Sequence, residues 1–179
     1  MSAFVLKLLA AACMLIDHAG LLLFPSQTWM RAVGRLAFPL FAYFIGEGFY
    51  YTKNRLRYFL RIFLLGVACQ IPYAVVGYSF ELGILITFSL SLCLMELLSR
   101  AKAGFSAGKD GLVWFIALCI NYSYPALWST QTLCLLALPL LLLYNGKPGK
   151  YRMKWFFYIF YPAHLGILWV IDWLMTRFF

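Results

Sequence analysis

Charge is scarce in this chain. Of its 179 residues only 12% are charged, and only six of those are acidic. A soluble domain carries about twice that share of charge to keep its surface wet, so a water-soluble fold is excluded. Strict apolar–polar alternation is missing too, which removes a membrane β-barrel. The five cysteines (Cys13, Cys69, Cys93, Cys119 and Cys134) lie inside apolar runs, with no close pair and no metal-type spacing. Neither a disulfide framework nor a metal site is expected from them. No serine or cysteine sits in an elbow-like sequence, and no glycine loop is built to cradle phosphate. Without an internal repeat or a low-complexity linker, residues 1–179 read as a single domain.

What is present is apolar: 64% hydrophobic and 20% aromatic residues, in runs that reach membrane-spanning length. A hydrocarbon core offers backbone amides no water, so each must be paired within its own helix. The expected fold is all-α, a polytopic bundle of about seven spans. They fall near Ala3–Phe24, Trp29–Tyr51, Tyr58–Tyr78, Leu82–Ser99, Gly111–Tyr122, Ser129–Tyr144 and Trp155–Phe178. The first has no small-residue cleavage site and contains Asp17 and His18, which predicts a permanent helix rather than a signal peptide. The fifth is short and leads into Tyr124-Pro125, as a re-entrant or broken helix would.

The net charge of +9 arises mostly in short connections. Lys53, Arg55 and Arg57 occupy one; Arg100, Lys102 and Lys109 a second; Lys147, Lys150, Arg152 and Lys154 a third. The alternate connections lack lysine and arginine. This is a topology signal, not a nucleic-acid stripe, and it predicts a multi-pass protein of the inner (cytoplasmic) membrane with a cytoplasmic N-terminus and an external C-terminus. The lipid bilayer is its first partner, and no nucleic acid is expected.

Ionisable groups left inside the spans are costly there and therefore informative. Span one holds Lys7, Asp17 and His18, span two Arg31, Arg35 and Glu47, span three Arg61, and span seven His164 and Asp172. Lys7 and His18, about three helical turns apart, face one way at depths differing by about 16 Å. Two polar layers follow: an outer one of Asp17, His18, Arg31 and Arg35, and an inner one of Lys7, Glu47 and Arg61. Plainer readings stand beside this. Lys7 and Arg61 can snorkel to headgroups, Asp17 with Arg35 and Glu47 with Arg61 can be structural ion pairs, and His164 can bond a carbonyl freed by Pro162. Asp17-His18 differs in kind, because a carboxylate beside a histidine at membrane depth can hold the ring in one tautomer, ready to take a proton.

These residues also resemble a known family. Leu6-Lys7-Leu8 through Met14-Leu15-Ile16-Asp17-His18-Ala19-Gly20 is similar to the opening of the TraX membrane proteins. The stretch Arg31 through Phe41, then Gly46-Glu47-Gly48-Phe49 and Thr52, resembles that family's second block, and Tyr58–Arg61 with Ile71-Pro72-Tyr73 its third. The likeness thins afterwards to Thr87, Asn121-Tyr122 and Tyr161-Pro162-Ala163-His164-Leu165. The family's namesake, from conjugal transfer, acetylates the N-terminus of pilin. The Lys7-to-His18 spacing also resembles the signature of the wider membrane acyltransferases that O-acetylate surface glycans.

The resemblance implies an acetyltransferase that takes acetyl groups from acetyl-CoA in the cytosol and passes them to a peptide N-terminus or glycan hydroxyl reached from outside. His18 is then expected to be the general base with Asp17 orienting it, while Arg31 and Arg35 stabilise the oxyanion or hold the acceptor. Lys7, Arg61 and the cations Lys53, Arg55 and Arg57 would hold the CoA phosphates, with Glu47 and His164 lining the substrate path. Two other classes stay open: a small transporter whose buried charges relay ions, and a non-catalytic assembly protein for another membrane component.

Overall fold

Small side chains along one face of the first helix decide what can pack against it. Ala3, Leu6, Ala10, Cys13 and Gly20 recur at helical spacing and are all buried, whereas Val5, Leu8, Leu15 and Leu21 on the opposite side are exposed. Small residues let helix backbones approach closely where lipid gives no hydrophobic drive, and the large exposed ones suit a lipid surface. In the computed structural model this helix is α1, Ala3–Leu22. The structure describes residues 1–75, 84–101, 135–147, 149 and 154–178.

The described elements are all helices: α1, α2 (Thr28–Gly34), α3 (Ala37–Tyr51), α4 (Arg55–Val75), α5 (Ile84–Ala101), α6 (Ala137–Leu142) and α7 (Lys154–Phe178). Two of them, over Ala3–Leu22 and Phe156–Phe178, are both long and apolar enough to cross a membrane. Of the remaining expected spans, the fifth lies outside the described residues, and the sixth is described only from residue 135, as a turn leading into α6.

The second expected span is corrected. Instead of one helix over Trp29–Tyr51, the chain breaks between α2 and α3 at Arg35-Leu36. The last turn of α2 tightens, with the Leu36 N–H bonding to the Val33 carbonyl at 3.2 Å and the Arg35 N–H shared between Arg31 and Ala32. Pro39 has no N–H for the carbonyl of Arg35, so an unbroken helix would lose a bond there and collide with the proline ring. In the first turn of a new helix the same proline costs little.

The chain forms two units, Met1–Phe41 with Phe115–Phe179, and Ala42–Trp114. In the first, α1 packs on α2 and α7 around Cys13, Met14 and Ala37, with Leu9, Val33, Leu36, Phe41, Phe160 and Tyr161 closing over them. The N-terminal strand of backbone is tied to the connection after α6: the Met1 ammonium bonds to Leu143, the Asn145 N–H to the Met1 carbonyl at 3.0 Å, and the Ala3 N–H to the Lys147 carbonyl at 2.9 Å. Gly149 closes this junction with φ of +87°, lying so near Phe4 and Ser2 that a side chain would not fit.

In the second unit α4 packs on α5. The Tyr58 hydroxyl donates to the Ile45 carbonyl at 3.2 Å and sits over Gly48, where a Cβ would come within 2.5 Å of the phenolic oxygen. Asn54 caps α4 by accepting the Arg57 N–H at 2.9 Å. Arg55 then reaches Glu96 of α5 at 2.9 Å and the Ser99 hydroxyl at 3.1 Å, with its guanidinium 4.6 Å from the ring centre of buried Phe49.

Candidate functional site

The outer polar layer assembles within the first unit. α1 carries Asp17 and His18, α2 carries Arg31, the break after α2 carries Arg35, and α7 carries His164. Asp17 continues the buried small-residue row of α1 one turn before Gly20. Opposite it lies Gly34, so close that a Cβ there would stand 2.2 Å from the Asp17 Cβ and 2.3 Å from its Oδ1. Gly20 gives the same closeness one turn on, where a Cβ would fall 2.7 Å from that of Met30. These two glycines bring α1 and α2 near enough for a short arginine fork to reach the carboxylate.

The partner of Asp17 is Arg31, not Arg35. Arg31 Nη1 donates to Asp17 Oδ2 at 2.8 Å and to the Asp17 main-chain carbonyl at 3.2 Å. Arg35 is one turn on, at the break, and its Nε is buried with no hydrogen-bond partner among the described residues. Asp17 Oδ1 is in the same condition. A buried acceptor and a buried donor without partners are expensive.

The ring partner of His18 is His164, not Asp17. Consecutive residues on a helix diverge by about 100°, since each turn holds about 3.6 residues, so the Asp17 carboxylate turns toward α2 while the His18 ring turns toward α7. His18 Nδ1 lies 2.9 Å from His164 Nε2, with ring centroids 5.0 Å apart. His164 is buried, 4% exposed. Its ring stacks on Phe160 at 4.8 Å and meets the edge of Tyr161 at 5.7 Å, and its Nδ1 lies 2.7 Å from the Phe160 carbonyl. Pro162 frees a different carbonyl, that of Tyr158 four residues earlier, so His164 is not filling the gap that the proline leaves.

The inner layer divides between the units. Lys7 lies on α1 in the first; Glu47 on α3 and Arg61 on α4 lie in the second. Of the cations expected to hold CoA phosphates, Arg55 is engaged by Glu96, Ser99 and Phe49. Lys53 lies just before α4 and Arg57 and Arg61 in its first two turns; all three are exposed, are spaced four residues apart, and make no ion pair among the described residues. Helical spacing places Arg57 and Arg61 on one face, beside a helix N-terminus, which favours anions. Among the described residues no cluster of three metal-ligating side chains exists.

Two features of this site escape a reading of the sequence: Gly34 looks like an ordinary small residue, and His164, expected to line the substrate path, gives no sign that it meets His18. The one available clue was that the chain has two histidines in all.

Comparison with known proteins agrees with the resemblance in the sequence. The TraX protein family profile matches residues 2–127 and 109–172. A probable fimbrial assembly protein FimC (serogroup H1) of Dichelobacter nodosus is 27% identical, the alignment covering 93% of this chain and 94% of that protein. An uncharacterised protein of Rickettsia prowazekii is 40% identical over 49% of this chain and 34% of its own length. No solved structure matches the chain.

Proposed function

The chain belongs to the TraX family, and from that premise we propose that this membrane protein is an acyltransferase of the inner membrane, moving an acetyl group from cytosolic acetyl-CoA to an amine or hydroxyl reached from the outer face. One observation carries the reading: His18 is held through one ring nitrogen by His164, beside a half-buried Asp17–Arg31 pair and an Arg35 Nε with no partner among the described residues. A structural ion pair would account for Asp17 and Arg31 but not for a histidine pair beside two polar atoms left unsatisfied among the described residues.

In this reaction acetyl-CoA supplies a thioester. His18 takes the proton of the acceptor N–H or O–H as that nitrogen or oxygen bonds to the acetyl carbon. The carbon–sulfur bond breaks, and His18 returns the proton to the departing sulfur, leaving an acetylated acceptor, CoA thiol and neutral histidine. The Arg35 Nε–H is suited to the carbonyl oxygen as it gains charge, while Arg31 keeps Asp17 in place. Lys53, Arg57 and Arg61 are the cations suited to the CoA phosphates.

The membrane topology we propose is about seven spans with a cytoplasmic N-terminus. The hydrogen bonds joining Met1 and Ala3 to Leu143–Lys147 support a shared side for the N-terminus and the last basic connection. The alternative is a non-catalytic assembly role, which the name of the Dichelobacter relative favours.

The deciding experiment uses the full-length protein in nanodiscs with acetyl-CoA and either an unblocked peptide or a saccharide as acceptor. CoA thiol release and the acetylated product are measured together. His18→Ala is expected to lower transfer by about 100-fold or more, with acetyl-CoA affinity unchanged. Wild-type protein that binds no acetyl-CoA at low salt and yields no product would sink the reading in favour of assembly.

A further inference from the structure

We infer that His164 is the positioning residue for His18, fixing its tautomer so that Nε2 is the one ring nitrogen of the pair left to accept a proton. This rests on the acyltransferase reading for its use, but its geometry stands independently. A carbonyl oxygen can only accept, so the His164 Nδ1 that lies 2.7 Å from the Phe160 carbonyl carries a proton. A neutral imidazole has one N–H, so His164 Nε2 presents a lone pair. That lone pair faces His18 Nδ1 at 2.9 Å, and His18 Nδ1 is therefore the donor. The bare lone pair of the chain is on His18 Nε2.

The arrangement also tolerates the proton it collects. When His18 Nε2 is protonated, Nδ1–H still donates to His164 and His164 still donates to Phe160, so no hydrogen bond has to be remade. A preorganised acceptor of this kind adds no reorganisation cost to the step. The usual partner for such a histidine is a carboxylate, yet here Asp17 is turned away and occupied by Arg31. The other charged groups facing His18 are Arg31 and Arg35 from the α2 side, both donors only. His164 is thus the side-chain acceptor available to His18, alongside the Met14 carbonyl one turn back on α1, and its stacking on Phe160 and edge contact with Tyr161 hold the ring in register.

The test combines nitrogen NMR with paired variants, all in full-length protein in nanodiscs. Imidazole-labelled wild type is expected to show neutral His18 as the Nδ1–H tautomer and neutral His164 likewise. His164→Leu removes the ring acceptor and leaves only the Met14 carbonyl; it should shift His18 toward the Nε2–H form, lowering kcat by on the order of 100-fold with KM for acetyl-CoA little changed. His164→Gln keeps an acceptor oxygen at the end of its side chain and should recover most of that loss. Wild-type His18 in the Nε2–H tautomer would overturn the inference, as would a Gln variant no faster than the Leu variant, which would make His164 a proton carrier. If His18→Ala keeps full transfer activity, the catalytic reading fails instead, while the NMR arm still decides the tautomer.

Discussion

Gly34 lies against the Asp17 side chain closely enough that a single added methyl would overlap it, with a Cβ 2.5 Å from the carboxylate carbon. The seat of the acidic residue is therefore a glycine on the neighbouring helix. α1 and α2 cannot be separated by one carbon without also moving the carboxylate away from Arg31.

Gly34→Ala should consequently both destabilise the protein and impair it. Overpacking of this kind costs about 1–3 kcal/mol, read as a lower melting temperature in detergent. Gly46→Ala is the matched control, because its Cβ would meet only the end of Met95, at 4.0 Å. That variant should melt at or above the wild-type temperature, since alanine suits a helix better by roughly 0.5–1 kcal/mol. Equal melting of the two variants would remove the close-seat account of Asp17.

Arg31 and Arg35 should separate in stability. Arg31→Ala removes the guanidinium hydrogen-bonded to the half-buried Asp17 carboxylate and should cost on the order of 2 kcal/mol. Arg35→Ala removes a side chain whose Nε has no hydrogen-bond partner among the described residues, and should cost less stability than Arg31→Ala while lowering acetyl transfer. Denaturation in mixed micelles, alongside activity, checks this. An Arg35 variant that unfolds more readily than the Arg31 variant would restore the pairing expected from the sequence.

Acetyl-CoA binding should weaken as salt rises, because exposed phosphate contacts are screened. Calorimetry is expected to show lower affinity for Arg57→Ala and Arg61→Ala at low salt. Arg55→Ala should act differently, loosening the contact of α4 with Glu96 and Phe49 and so lowering melting temperature more than affinity. Affinity that ignores both salt and Arg57 would move the donor site elsewhere.

Topology can be read by labelling. A tag after Asn145 should be protected in intact cells and one after Phe179 accessible, with the N-terminus protected like Asn145, to whose N–H the Met1 carbonyl is bonded. Opposite sides for the N-terminus and Asn145 would contradict both the charge pattern and that hydrogen bond.

The membrane class and the helical content were legible in the amino-acid order alone. Both depend on summed properties: long apolar runs and the cost of charge in hydrocarbon. Even the break in the second span had a local cause, Pro39, although the run Trp29–Tyr51 concealed it. Partner choice was not legible. Asp17 and Arg35 looked like a pair by depth, but the carboxylate meets Arg31 because Gly20 and Gly34 set the distance between α1 and α2. Asp17 and His18 looked like a unit by adjacency, yet helix geometry turns them apart, and His18 finds a ring 146 residues further along the chain. Depth in the membrane is a property each residue carries in its own span. Which atom faces which depends on helix rotation and on the approach of remote segments, and only the tertiary structure decides that.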